Sequence, residues 1–133
     1  MDALFARKNT AGVAMAQEGS RAEFIVVFVT TGSEEEAEKI ARNLIEEKLA
    51  ACANIVSPIR SIYRWEGKVA DDKEWLLLIK TRESLFPQVE KRVKEWHSYQ
   101  VPEVVALPIL AGSPAYLRWV KESTEESRQP KDD

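Results

Sequence analysis

The segment EWHSYQVPEV, residues 95 to 104, holds the single histidine of the chain, His97. An imidazole can carry a proton near neutral pH or ligate a metal through either ring nitrogen. His97 also stands where a helical pattern ends, and there the negative end of the helix dipole favours its cationic form. The sequence leaves both readings open: a helix-ending histidine or a metal ligand. Cys52, the single cysteine, lies 45 residues earlier in AACANIV. A nucleophile needs a base and an orienting group, and this small, apolar context is that of a buried, inert thiol. A structural zinc site asks for four Cys or His ligands, and the chain has two such residues. Copper binds almost any accessible imidazole or thiolate. Weak copper binding there would by itself say little about function, and the ligand role of His97 stays open beside the helix-end one.

Other chemistries find less support. The chain has 22 acidic residues, but most fall in runs such as SEEE and IEEK, whose ordinary reading is a solvated helix face. The loop TTGS before the first helix could offer backbone N–H groups to an anion, yet Glu34, Glu35 and Glu36 already occupy that end of the dipole. There is no phosphate-binding glycine loop of either common kind. No activated nucleophile or acid-base pair is recognisable, so the chain reads as a binding protein and not an enzyme. A net charge of −3 and a pI of about 5.4 argue against nucleic acid as a partner. No apolar stretch approaches the ~20 residues of a membrane span. One cysteine cannot close an internal disulfide, which favours a cytoplasmic location.

The elements that must hold these residues follow from periodicity. At 133 residues the chain suits one domain. Residues 1 to 23 lack the apolar block of a secretory signal and read as a disordered leader, and residues 125 to 133 as a disordered tail, leaving a single domain over 24 to 124. FIVVFVTT (24 to 31) predicts a central strand buried on both faces. Ala37, Ile40, Ala41, Leu44 and Ile45 then follow a helical stripe, with Ser33 and Glu36 at capping-box spacing. Residues 51 to 65 read as a long strand bent at Pro58. EGKVADDKE reverses the chain at Gly67, and EWLLLIKT (74 to 81) returns as a buried strand. Ser84 opens a second helix with Leu85, Val89, Val93 and Trp96 as its buried stripe, ending near His97. EVVALPIL (103 to 110) makes a strand, with Pro108 marking an edge or an end, and Ser113 with Pro114 opens a closing helix.

The order βαββαβ plus a C-terminal helix is that of an α+β, ferredoxin-like split βαβ sandwich, with two helices on one face of a four-stranded antiparallel sheet. RNA-recognition domains share the topology, but EWLLLIKT lacks their basic-glycine-aromatic pattern. The long strand with Tyr63, Trp65 and Trp75 offers more apolar surface than two helices can hide, which predicts association of copies through their strands.

KLAACANIV, SIYRWEGKV, LLLIKTRESL, HSYQVPEVVALPI and YLRWVKEST resemble, in order and spacing, the landmarks of the CutA divalent-cation-tolerance family, over about residues 24 to 124. The resemblance implies a tight homotrimer joined by strand pairing, similar to the PII signalling proteins. It also implies copper and divalent-metal tolerance in bacterial members and acetylcholinesterase anchoring in animal ones. The family's His-Pro-Tyr-x-x-Pro-Glu motif falls on His97, Tyr99, Pro102 and Glu103, with Ser98 in place of the first proline. The cysteine and two adjacent histidines assigned to copper in some members fall on Val29, Trp96 and His97, so two of those three ligands are missing here. What remains is a cleft between subunits lined by Tyr63, Trp65, Lys80, His97, Tyr99 and Glu103, of the make-up that suits a small ligand. The first expectation is a non-enzymatic trimeric protein with weak divalent metal binding at that cleft. The alternative is a PII-like sensor or scaffold that takes a small molecule or a protein partner and no physiological metal.

Overall fold

The computed structural model describes residues 22–126. The leader expected over 1 to 23 and the tail over 125 to 133 thus lie almost wholly outside the described residues. The chain runs β1 (Phe24–Thr31), α1 (Glu34–Glu46), β2 (Cys52–Trp65), β3 (Lys68–Arg82), a single 3-10 turn (Glu83–Leu85), α2 (Phe86–Trp96), β4 (Val104–Pro108) and α3 (Pro114–Ser123). The four strands form one sheet in the order β2-β3-β1-β4, and every neighbouring pair is antiparallel.

Helices α1 and α2 cover one face of the sheet. Val27, Val29, Leu77 and Ile79 project from that face to meet Ile40 and Leu44 of α1 and Val89 and Val93 of α2, all without solvent exposure. Ile45, expected in the α1 stripe, is instead 40% exposed, because it lies at the margin of an arc that Ala37, Ile40, Ala41 and Leu44 already fill. Ser84 does not cap α2: the 3-10 turn intervenes, and Leu85 takes the cap position without a side-chain bond. Pro87 sits in the first turn as expected.

β1 is central, but it is not buried on both faces. Ile25, Val27 and Val29 are buried while Val26 and Phe28 are only half-buried, since no helix pair lies over the second face. Residues in register across that face, Val26, Phe28, Leu76 and Leu78, are half-buried, and Val56, Val105 and Leu107 are exposed. Helix α3 covers only part of it. There Arg82 donates to the Thr124 hydroxyl and carbonyl oxygens, both at 2.9 Å.

The β2–β3 ribbon is longer than the pattern suggests. Its reversal takes only Glu66 and Gly67, both at positive φ (50° and 78°), as a two-residue hairpin turn of matching twist requires. The charge-rich segment 68 to 73 then pairs as strand rather than loop. At Gly67 an added Cβ would meet nothing, so Gly67→Ala isolates the backbone strain: a loss of about 1 kcal/mol is expected, read from the urea midpoint. The register slips between Val56 and Ile59, around the expected bend at Pro58. Because β1 pairs with β3 only from Trp75 onward, the ribbon before Glu74 projects past the end of the sheet by about 20 Å.

Candidate functional site

His97 ends α2 as the sequence implies, with its backbone N–H donating to the Val93 carbonyl at 2.9 Å. Its side chain is fully buried. Nδ1 accepts the Tyr99 N–H at 3.0 Å, which leaves Nε2 to carry the proton and donate it to the Thr30 carbonyl at 2.7 Å. Both ring nitrogens are therefore committed inside the subunit. The ring ties the end of β1 to the segment 97–103, and it holds the Tyr99 ring at a centroid distance of 4.7 Å.

A second tie comes from the start of α1. The Ser33 hydroxyl accepts the Glu36 N–H at 3.2 Å, one half of the expected capping box. The other half is redirected: Glu36 accepts the Ser98 N–H at 2.6 Å and the Ser98 hydroxyl at 3.1 Å. Glu36 is thus a fastening for the turn after α2, not a solvated helix-face acid. Serine at position 98 supplies the N–H that a proline there would lack.

On this support stands a cleft of about 740 Å3 between the projecting ribbon and the segment 99–103, with Thr30 at its base. Tyr63 and Trp65 face it from β2, Glu74 from β3, and Tyr99, Val101 and Glu103 from the 99–103 segment. Glu74 is only 6% exposed. Its Oε2 accepts the Tyr99 hydroxyl at 2.9 Å, and Oε1 has no donor among the described residues. The Tyr99 hydroxyl reaches it by passing over Gly32, where a Cβ would stand 3.1 Å from that oxygen. Burial first, and then the bond to Glu74, push the Tyr99 phenol well above its ordinary range. Tyr63 donates to Asp72, and Arg60, which also lines the cleft, is held by Asp71 at 2.9 and 2.7 Å.

Glu103 makes no hydrogen bond or ion pair among the described residues. Desolvation, followed by the charge of Glu74, raises its pKa above the ordinary glutamate value. With the folded value the higher one, the native chain takes up this proton before the unfolded chain does. Stability is thus fully present below the unfolded value and is lost as pH rises through the folded one. Glu103→Gln is expected to flatten that slope just above the ordinary carboxylate range and to raise the urea midpoint at neutral pH. Unfolding series from about pH 4 to 8 read both effects.

Of the residues predicted from sequence, Tyr63, Trp65, Tyr99 and Glu103 meet at this cleft, and His97 lies beneath it. Lys80 does not join them. It pairs in register with Val26 and Cys52 and donates to Asn54, six residues along β3 from Glu74 and so about 20 Å away. Glu74, Thr30 and Gly32 were not singled out by residue type; the signal for Glu74 was an acid opening an apolar strand, EWLLLI.

Fold and cleft together define a small mixed α/β domain with an acidic, aromatic-walled cleft at one end of its sheet. A family profile described as CutA1 divalent ion tolerance protein matches residues 25–123. The divalent-cation tolerance protein CutA of Thermus thermophilus is 54% identical over 99 residues, 74% of this chain and 96% of that protein. The chloroplastic protein CutA 1 of Oryza sativa is 50% identical over 119 residues, 90% of this chain and 67% of that protein. The solved structure of CutA1 from Oryza sativa matches with a TM-score of 0.76 at 53% identity, covering 81% of this chain and 99% of that one. That of the periplasmic divalent cation tolerance protein CutA from Archaeoglobus fulgidus matches with a TM-score of 0.75 at 43% identity, covering 77% of this chain and 99% of that one. The chain belongs to the CutA1 divalent ion tolerance family. Among the described residues, no helix is long and apolar enough to cross a membrane.

Proposed function

We propose that the protein is a non-enzymatic, homotrimeric binding protein of the divalent-cation-tolerance class, whose working site is the cleft at the end of the sheet. The observation that carries this reading is the buried Glu74 carboxylate, which presents an unbonded oxygen to a cavity that also holds the unpaired Glu103. Two neighbouring anions without a cation of their own attract positive charge. The trimer rests on the uncovered second face of the sheet. A further copy across that face would also bring a neighbour near the projecting ribbon, making the cleft a seam between subunits. In this reading Cu2+ or another divalent cation binds weakly at the carboxylates, and His97 acts by holding Tyr99 and the 97–103 segment. Direct ligation by His97 would require one of its two hydrogen bonds to be given up.

The second reading, a PII-like sensor or scaffold for a small molecule or protein partner, is favoured by the cavity volume and by the exposed rings of Tyr63 and Trp65. We place the protein in the cytoplasm on the strength of its single cysteine, although relatives are named as chloroplastic and periplasmic; cell fractionation decides that point. Calorimetric titration with Cu2+ separates the metal readings. Binding that weakens in Glu103→Gln supports the carboxylate site, binding lost only in a His97→Ala variant whose metal-free unfolding midpoint is unmoved returns the imidazole as ligand, and no heat at millimolar Cu2+ favours the sensor.

A further inference from the structure

The cleft has features that a bare metal ion would not use. Its volume of about 740 Å3 lies within the range of pockets that enclose whole organic ligands. Its walls are rings: Tyr63 and Trp65 stand two residues apart on β2, so their side chains share a face of the ribbon, and Tyr99 lies across from them. Among the described residues, no group of three or more His, Cys, Asp or Glu is placed to hold a metal ion. Hard divalent cations demand several oxygen ligands in a tight shell.

Polar groups around the cleft divide into satisfied and unsatisfied ones. Arg60 is engaged by Asp71, and the Tyr63 hydroxyl by Asp72. One oxygen of Glu74, a residue more than nine-tenths buried, is left without a donor, and Glu103 lies close enough to feel its charge. A carboxylate oxygen left without a donor, on a buried residue that lines a cavity, can take one from a ligand held there. Aromatic faces attract the same sign of charge, since a cation over an indole or phenol ring is held by the ring quadrupole.

We propose that the cleft is a receptor for an organic cation, whose ammonium or guanidinium head bridges Glu74 and Glu103 while its apolar body lies against Tyr63, Trp65 and Tyr99. This rests on the reading of the cleft as the ligand site and adds the chemistry of the ligand. An ammonium group brings three donors and one charge to two carboxylates, so Oε1 of Glu74 gains its missing bond. Arg60, already neutralised, does not repel it.

The full chain is titrated with benzylamine and with benzyl alcohol, its neutral analogue of similar shape, by calorimetry and by the Trp65 indole NMR signal. Benzylamine is expected to bind and to shift Trp65, and benzyl alcohol to bind at least tenfold more weakly. Glu103→Gln, at an exposed position where the change is expected to leave the fold intact, is expected to weaken benzylamine about tenfold or more, the effect of one charged hydrogen bond. Glu74→Gln, which keeps an acceptor for Tyr99, is expected to do the same. Benzyl alcohol binding as tightly as benzylamine would overturn the assignment and leave the cleft as a site for neutral ligands. Cu2+ or Mg2+ binding at the carboxylates with no benzylamine binding would overturn it in favour of a metal site. No Trp65 shift with any of these probes would remove both the assignment and the cleft as the working site.

Discussion

Replacing His97 by alanine is expected to destabilise the fold by about 2–5 kcal/mol, the combined effect of two stranded hydrogen-bonding groups and a cavity. The Thr30 carbonyl loses its donor and the Tyr99 N–H its acceptor, and no solvent replaces them because the imidazole was fully buried. The damage should spread along the chain, since Tyr99 packs on the ring and in turn donates to Glu74. Denaturant unfolding, at one fixed protein concentration so that any association of copies contributes equally, gives the size of the loss. Amide exchange should locate it in residues 97–103. A histidine serving mainly as a metal ligand would behave differently: the metal-free midpoint would barely move.

Leu78→Glu is expected to have the largest effect on assembly. Leu78 lies mid-sheet on the face away from α1 and α2, in register with Phe28 on one side and Asn54 on the other. In a lone subunit the new carboxylate would reach water, because this face is only half-buried. Beneath another copy it would be buried without a partner, a penalty of several kcal/mol per site, repeated in each subunit. The expected result is a fall in solution mass to that of one chain, read by light scattering, with the far-UV circular dichroism of the folded protein retained. Loss of secondary structure at unchanged mass would mean that the face belongs to the subunit's own core.

What the sequence made legible follows from the range of each interaction. β1, α1 and the βαββαβ order depend on local periodicity and on turn residues, and these were readable. So was the clustering of Tyr63, Trp65, Tyr99 and Glu103, because family landmarks place them. Contacts across long separations were not. Glu36 resembles any helix-face acid until the fold brings Ser98, 62 residues on, within hydrogen-bonding distance. Residues 68 to 73 have the charge of a loop, yet they pair as strand because two positive-φ residues make the reversal tight enough for the ribbon to continue. Lys80 was grouped with the cleft by the same landmarks, whereas strand rise puts it about 20 Å along β3 from Glu74. His97 showed both of its readings in sequence, and only the positions of Thr30 and Tyr99 reveal that its two nitrogens are already engaged.

The central claim is that one subunit is incomplete, its open sheet face requiring other copies before the cleft is whole. Sedimentation equilibrium of the unmodified chain at micromolar concentration tests this most directly. Three times the chain mass of 15.1 kDa is the predicted result, and a stable species at 15.1 kDa would contradict it.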